Sequence, residues 1–165
     1  MQIELERPED VDAIRDLTLA AFRDAPHSLQ TEARIVDALR DAGVLTLSLV
    51  ASQAGEIVGH AAFSPVKING FEGGWYGLGP VSVRPDRQRT GIGSAVIRHG
   101  LERLKAMNGL GCVVFGDPGY YSRFGFVGDP GLRYPGAPDG YFLRLPFTAT
   151  APIGEVAYHS GFDVV

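Results

Sequence analysis

Cysteine is almost absent from this sequence of 165 residues, as are long apolar runs and an excess of positive charge. The single cysteine, Cys112, excludes an intramolecular disulfide and a cysteine-based metal cluster. No apolar run is long enough to span a bilayer. The N-terminal Met-Gln-Ile-Glu-Leu-Glu lacks the basic and apolar regions of a signal peptide. The net charge of −4 argues against nucleic acid, which usually meets a basic surface. We therefore expect a soluble cytoplasmic protein with neither nucleic-acid nor membrane partners.

Glycine and proline, by contrast, are abundant, with 22 and 11 residues that crowd into the second half. That half is predicted to be rich in turns. The apolar fraction of 45% is sufficient for a buried core, and the length suits one domain over residues 1–165. Histidines and carboxylates are scattered without the spacing of metal ligands, so we predict no metal site.

Hydrophobic periodicity predicts a mixed α/β fold in the order β-α-α-β-β-β-α-β-α-β-β. The predicted strands cover residues 2–6, 45–52, 57–67, 75–83, 111–115, 141–147 and 155–158. The predicted helices cover residues 8–22, 31–42, 91–107 and 118–124. Residues 69–74 are predicted as a turn and residues 128–140 as a Gly/Pro loop. The sheet should be antiparallel at first and acquire a parallel neighbour where the long helix crosses over.

Residues 81–94 combine a β-branched strand, a short basic loop and a helix that begins on glycines. Gly91 and Gly93 allow a tight turn and a close approach of the backbone to a ligand. The free N–H groups of the first helical turn and the helix dipole together favour an anion. Arg87 and Arg89 add positive charge at the same place. The stretch therefore predicts an anion-binding site.

Three ligand-binding motifs compete for this glycine loop. A P-loop requires Lys-Ser/Thr after the second glycine, whereas Ser94-Ala95 follows here. A dinucleotide-binding loop requires a third glycine, and Val96 occupies that position. The motif Gln/Arg-x-x-Gly-x-Gly/Ala fits in full over residues 88–93. A helix that begins on glycine and binds no ligand is about equally compatible with this short motif.

A second block of residues favours the ligand-binding motif over a helix that binds no ligand, because both blocks together resemble the GNAT superfamily of N-acetyltransferases. The matching residues are Val81-Ser-Val-Arg-Pro85, Gln88-x-x-Gly91-x-Gly93 and Tyr120-Tyr-Ser-Arg-Phe-Gly-Phe126. The last of these resembles the family's aromatic-Tyr-x-x-apolar-Gly-Phe signature. The resemblance covers roughly residues 2–126, and residues 116–121 and 156–162 are similar to a bacterial subgroup of predicted acetyltransferases. It implies the GNAT α/β fold, whose mixed central sheet is splayed between the fourth and fifth strands with helices on both faces.

The resemblance also implies acetyl-CoA as the acyl donor, without a metal. In the family the pyrophosphate lies on the glycine loop and the pantetheine arm along the preceding strand. A backbone N–H near Val81 would then hold the oxyanion of the reacting carbonyl. The implied cofactor-binding residues are Val81, Ser82, Val83, Gln88, Arg89, Thr90, Gly91, Ile92, Gly93 and Ser94.

Tyr121 matches the general-acid tyrosine of the family, which protonates the departing thiolate. The alternative is that Tyr121 is one of several packed aromatic residues. The general base stays open among three weaker candidates. His60 on an apolar strand is more typical of a structural residue, Asp117 of a helix N-cap, and Glu72 of a solvated turn.

The predicted function is acetyl-CoA-dependent transfer of an acetyl group to a primary amine of a small molecule or peptide. One alternative is a coenzyme-A-binding module without catalysis, acting as a sensor or accessory subunit. Another is a globular domain that binds no coenzyme. Residues 24–30, 67–74 and 128–140 are expected to determine the acceptor. Phe162 and the C-terminal tail are candidates for contact with a second subunit in a homodimer.

Overall fold

The structure, a computed structural model, describes residues 1–165 and contains eight strands and four α-helices. The strands are β1 (Gln2–Leu5), β2 (Leu47–Gln53), β3 (Glu56–Ile68), β4 (Phe71–Val83), β5 (Gly111–Phe115), β6 (Leu132–Arg133), β7 (Phe142–Pro146) and β8 (Gly154–Ala157). The helices are α1 (Val11–Phe22), α2 (Glu32–Asp41), α3 (Ile92–Ala106) and α4 (Pro118–Tyr121). Short 3₁₀ helices occupy Pro8–Asp10, Pro85–Arg87, Ser122–Phe124 and Ser160–Asp163. None of the helices combines the length and apolar character needed to cross a membrane.

The sheet has the strand order β1-β2-β3-β4-β5-β7, which confirms the predicted mixed α/β fold. β1, β2 and β3 pair antiparallel, whereas β5 runs parallel to β4 and antiparallel to β7. The parallel ladder joins Trp75–Leu78 to Gly111–Val114 and ends there, although β4 continues to Val83. The cis peptide bond Gly79–Pro80 follows directly. The predicted splay between the fourth and fifth strands is therefore present.

The chain divides into two compact units, the first of which contains Met1–Phe63, Gly79–Gly100 and Ser160–Val165. In this unit Val50 packs with Ile14 of α1 and Val36 of α2. The next residue, Ala51, packs with Val58 and with Ile92 of α3. Because successive strand residues point to opposite faces, α1 and α2 cover one face and α3 the other. Helices lie on both faces, as predicted.

The second unit contains Ser64–Leu78 and Leu101–His159. Its core is a buried cluster formed by Val66, Trp75, Val113, Leu132 and Val156. β8 pairs antiparallel with the end of β3 and parallel with β6. The short strand β6 is thereby tied to the sheet, although it lies within a segment predicted as loop.

The predicted start of β4 was wrong because turns can be shorter than composition indicates. β4 begins at Phe71 rather than at residue 75, since Asn69 and Gly70 complete the turn alone. Their φ angles of 52° and 83° are those of a two-residue hairpin turn with positive φ at both positions. Glu72 therefore lies in a strand and not in the predicted turn. The 3₁₀ helix at Ser160–Asp163 was also not predicted.

Candidate active site

The last residues of β4 present an unpaired backbone edge in the first unit. The Arg84 N–H donates to the Val58 carbonyl at 2.9 Å, so Arg84 points its backbone groups toward β3. Because alternate residues of a strand bond to opposite neighbours, Ser82 does the same, while Val81 and Val83 point to the other edge. The β5 ladder has already ended at Leu78. The Val81 backbone and the Val83 N–H are therefore available to an extended ligand, whereas the Val83 carbonyl accepts the Gln88 amide.

The side chain of Ser82 holds this segment against α1. Ser82 is buried, and its hydroxyl donates to Thr18 Oγ1 at 3.4 Å. The Thr18 hydroxyl donates in turn to the Ile14 carbonyl at 2.7 Å. These contacts point the Ser82 side chain away from the unpaired backbone edge.

Two side chains of the following loop stabilise the loop itself. The Gln88 amide donates to the Val83 carbonyl at 3.2 Å, which ties the loop to the end of β4. The Thr90 hydroxyl donates to the Arg87 carbonyl at 2.5 Å. Both contacts fix the path of the backbone where it approaches α3.

The backbone of this loop adopts left-handed geometry twice before α3 begins. The φ angle is 65° at Arg89 and 90° at Gly91. This region costs about 1–2 kcal/mol for a residue with a Cβ, which explains the glycine at position 91. The Ala95 N–H donates to the Gly91 carbonyl at 3.0 Å. The N–H groups of Ile92 and Gly93 precede this bond at the positive end of the helix dipole, where an anion is stabilised.

The three arginines of the loop region differ in whether a carboxylate pairs with them. Arg84 pairs with Asp86 at 2.7 Å and with Glu56 at 2.8 Å, and these partners raise its pKa. Arg87 lies 4.0 Å from Asp86. Arg89 is exposed and pairs with no carboxylate. Arg89 is therefore the cation of this loop that remains available to a phosphate.

Tyr121 belongs to the second unit, at the end of α4. The helix starts at Asp117, whose Oδ1 accepts the Gly119 N–H at 2.9 Å, so the predicted N-cap is confirmed. The Tyr121 ring packs on Gly116, where an added Cβ would lie 2.4 Å from the ring. Glycine at position 116 is thus needed for the observed position of the ring.

The Tyr121 ring is enclosed by the aromatic residues of its own motif. Its centroid lies 5.0 Å from that of Tyr120, 6.0 Å from Phe126 and 6.2 Å from Phe124. Burial raises the pKa of Tyr121 to about 12, with a smaller effect from Tyr120 and Cys112. The phenol therefore stays protonated throughout the neutral range, and its hydroxyl makes no hydrogen bond within the protein.

His60 is completely buried in the first unit, and its surroundings favour the structural interpretation. Its Nε2 lies 2.7 Å from the Ser48 hydroxyl, which also bonds to the Glu6 carboxylate. Arg40 holds Glu6 through two bonds of 2.7 and 2.9 Å. Burial lowers the pKa of His60 to about 4; Glu6 raises this pKa and Arg40 lowers it. Sequence patterns gave no sign of this network, because its members lie far apart in the chain.

Cys112 and the Gly/Pro segment both lie in the second unit. Cys112 is fully buried, and burial raises the pKa of its thiol, which disfavours the reactive thiolate. Residues 128–140 line a cavity of about 580 Å³ in the second unit.

Comparison with known proteins agrees with this geometry. A family model described as "Acetyltransferase (GNAT) family" matches residues 11–126. The uncharacterized N-acetyltransferase YhbS of Escherichia coli (strain K12) is 34% identical over 170 residues, which cover 99% of each chain.

Two solved structures of this family are also similar. A GNAT family acetyltransferase from Brucella melitensis in complex with acetyl-CoA is 52% identical, with a TM-score of 0.88 over 98% of this chain and 97% of that one. Escherichia coli YhbS in complex with CoA is 32% identical, with a TM-score of 0.87 over 99% of this chain and 92% of that one. On this evidence the chain belongs to the GNAT family of acetyltransferases and is an N-acetyltransferase.

Proposed function

We propose that this enzyme transfers the acetyl group of acetyl-CoA to a primary amine of a small molecule or peptide. The observation that carries the proposal is the unpaired edge at Val81 and Val83, continued by the anion-binding first turn of α3. An extended pantetheine arm requires such an edge, and a diphosphate requires such a turn. The Brucella melitensis protein was crystallised with acetyl-CoA, and its 52% identity supports the same donor here.

Within this segment the residues have different tasks. The backbone of Val81 and Val83 pairs with the pantetheine arm, and the Val81 N–H polarises the acetyl carbonyl. Ser82, Gln88 and Thr90 act indirectly, because their side chains fix the strand and loop. The pyrophosphate is bound by backbone N–H groups over residues 89–94, from Arg89 through Gly91, Ile92 and Gly93 to Ser94. The Arg89 guanidinium adds a positive charge.

The transfer itself needs a nucleophilic nitrogen and a stabilised leaving group. The lone pair of the neutral amine attacks the thioester carbonyl carbon, so that a C–N bond forms and the C–S bond breaks. The nitrogen releases one proton to water. The Tyr121 hydroxyl donates a hydrogen bond to the departing sulfur, and the thiolate takes its proton from solvent.

The raised pKa of Tyr121 determines whether the phenol transfers its proton to the sulfur or only donates a hydrogen bond to it. A phenol with a pKa of about 12 is a weaker acid than an ordinary thiol, whose pKa is about 8.5. Complete transfer to a solvated thiolate would therefore be unfavourable. A short charge-assisted hydrogen bond to the sulfur becomes stronger as negative charge develops, which stabilises the transition state.

Calorimetric titration with acetyl-CoA tests the donor site. The Arg89→Glu enzyme should bind acetyl-CoA several-fold more weakly, because a negative charge at a helix N-terminus opposes the pyrophosphate and each such charge contributes about 0.3–1 kcal/mol. Arg103→Glu, the same charge change in the exposed last turn of α3, is the control and should leave the affinity unchanged. Equal affinities for all three proteins would contradict phosphate binding at Arg89.

Thiol release from acetyl-CoA, measured against a panel of primary amines, tests the reaction. Release with an amine, together with the acetylated product, supports the transferase. Tight acetyl-CoA binding without release for any amine would instead favour the coenzyme-A-binding module without catalysis. An absence of acetyl-CoA binding would overturn both.

A further inference from the structure

The cavity in the second unit has the size and lining of a small-molecule site. Its volume of about 580 Å³ lies within the range of roughly 300–1,000 Å³ that ligand pockets occupy. Leu132, Tyr134 and Phe142 contribute apolar surface. Charged side chains of both signs also line it, so the cavity suits a ligand that carries both signs itself.

Arg133 and Glu155 are the two charges that the fold brings together. They are register partners of the parallel strands β6 and β8, and both line the cavity. Their neighbours Leu132 and Gly154 are buried, so Arg133 and Glu155 extend from the exposed face of the ladder. No ion pair joins them, although opposite charges at paired positions usually attract. Each charge is therefore available to a ligand.

The backbone beneath these charges is firmly held. The Asn69 side chain accepts the Glu155 N–H at 3.0 Å, and the Asn69 N–H donates to the Glu155 carbonyl at 2.9 Å. The Gly154 N–H donates to the Gly131 carbonyl at 2.8 Å. Both side chains therefore start from fixed positions, which a binding site requires.

The other two carboxylates of the cavity differ in their availability. Asp129 accepts the Gly131 N–H at 2.8 Å and pairs with Arg144 at 3.1 Å, so it stabilises the loop. Asp139 is exposed on the rim and makes no ion pair. Asp139 thus adds negative charge on the same cavity as Glu155.

An aromatic wall connects the cavity to the end of β5. The Tyr134 ring lies 5.5 Å from Phe142 and 6.3 Å from Phe115 between centroids. The residue after Phe115 is Gly116, on which the Tyr121 ring packs. The contact between the cavity wall and the proposed general acid is Tyr158, whose ring lies 5.0 Å from that of Tyr134 and whose pKa is raised by burial and in part by Tyr134 and Tyr121.

We propose that this cavity is the acceptor subsite and that it binds an amino-acid head group. Arg133 binds the α-carboxylate, and Glu155 with Asp139 binds the α-ammonium. The reacting amine is then a second amine, carried on the apolar chain of the same acceptor. This inference rests on the proposed function and specifies its substrate class as free diamino acids.

Three probes share the reacting amine and differ only in the charges of the head group, so they test the two charge contacts separately. L-lysine carries both head-group charges, cadaverine lacks the carboxylate and 6-aminohexanoate lacks the α-ammonium. Binding to the CoA-saturated enzyme is measured by calorimetry, and thiol release from acetyl-CoA is measured for each probe. L-lysine should bind several-fold more tightly than either analogue, because each analogue leaves one exposed charge of the cavity without its partner.

Two variants assign the contacts. Arg133→Gln should abolish the preference for L-lysine over cadaverine, and Glu155→Gln the preference over 6-aminohexanoate. Glu102→Gln, on an exposed position of α3, is the control and should change neither. Equal binding of all three probes, or preferences that survive both variants, would overturn the inference.

The same samples separate this inference from the proposed function. If acetyl-CoA still binds and some other amine is acetylated, but no head-group preference exists, the subsite is wrong and the transferase stands. If wild-type enzyme fails to bind acetyl-CoA, the proposed function fails whatever the probes show.

Discussion

The two compact units differ in the kind of atom that each offers to a ligand. In the first unit, residues 81–94 present backbone N–H and C=O groups, while the side chains of Ser82, Gln88 and Thr90 stabilise the segment. In the second unit, Tyr121 and the cavity of residues 128–140 present side chains on a backbone that glycine and short ladders hold in place. Changes in the first unit should therefore alter coenzyme affinity, and changes in the second should alter turnover and acceptor choice.

Removing the Tyr121 hydroxyl should give the largest effect. The Tyr121→Phe enzyme should lose about 100-fold or more in turnover, the range that a general acid contributes. Its dissociation constant for acetyl-CoA should stay unchanged, because the proposed coenzyme contacts lie in the first unit. Steady-state thiol release and calorimetry measure the two quantities.

Tyr120→Phe is the matched control for this variant. It removes a hydroxyl from the adjacent residue of the same aromatic cluster and should retain turnover. If Tyr121→Phe also retains turnover, Tyr121 is a packing residue and the general-acid role is wrong.

His60 is a buried titratable group of the first unit whose contacts are structural. The folded protein keeps His60 neutral down to its pKa of about 4, whereas an unfolded chain protonates histidine near its usual pKa of 6.5. Between these values the unfolded state binds more protons, so the free energy of unfolding falls as the pH falls. The difference in pKa corresponds to about 3 kcal/mol.

The His60→Gln protein should lose most of this pH dependence between pH 6.5 and 4, measured by urea unfolding at several pH values. His27→Gln removes an exposed histidine and should keep the wild-type slope. A wild-type slope in His60→Gln would show that another group causes the acid sensitivity.

Gly91→Ala should give a smaller effect that is confined to the coenzyme. The left-handed φ of 90° at Gly91 costs an alanine about 1–2 kcal/mol, so a displaced loop should weaken acetyl-CoA binding about tenfold. Gly55→Ala is the control, since its φ is 80° and neither position has an atom within 4 Å of an added Cβ.

Both glycine variants should lose similar stability in thermal unfolding, but only Gly91→Ala should lose coenzyme affinity in calorimetry. A loss of affinity in both would indicate a general loss of folding and not a local effect on the phosphate loop.

The same contrast explains which features could be predicted from sequence. The glycine loop and α3 were predicted because left-handed turns and helix starts depend on residues such as Gly91 and Gly93. The N-cap at Asp117 was predicted for the same local reason. Short strands and ion pairs that depend on particular partners far away in the chain were not predicted.

β6 is a strand of this kind. It has only two residues, Leu132 and Arg133, which are too few to show a periodic pattern in the sequence, and it forms by pairing with β8. Likewise, the sequence placed Arg84, Arg87 and Arg89 together, but the carboxylates that pair with Arg84 decide which charge remains available. Glu56, one of those partners, lies 28 positions away in the chain.

Titration of ¹⁵N-labelled protein with acetyl-CoA, followed by amide NMR spectra, tests most directly whether the backbone of residues 81–94 binds the coenzyme. The largest shifts should occur at the amides of Val81, Val83, Gly91, Ile92 and Gly93, with small shifts at Arg133 and Glu155. Saturable binding that leaves those five amides unshifted would contradict coenzyme binding by this backbone.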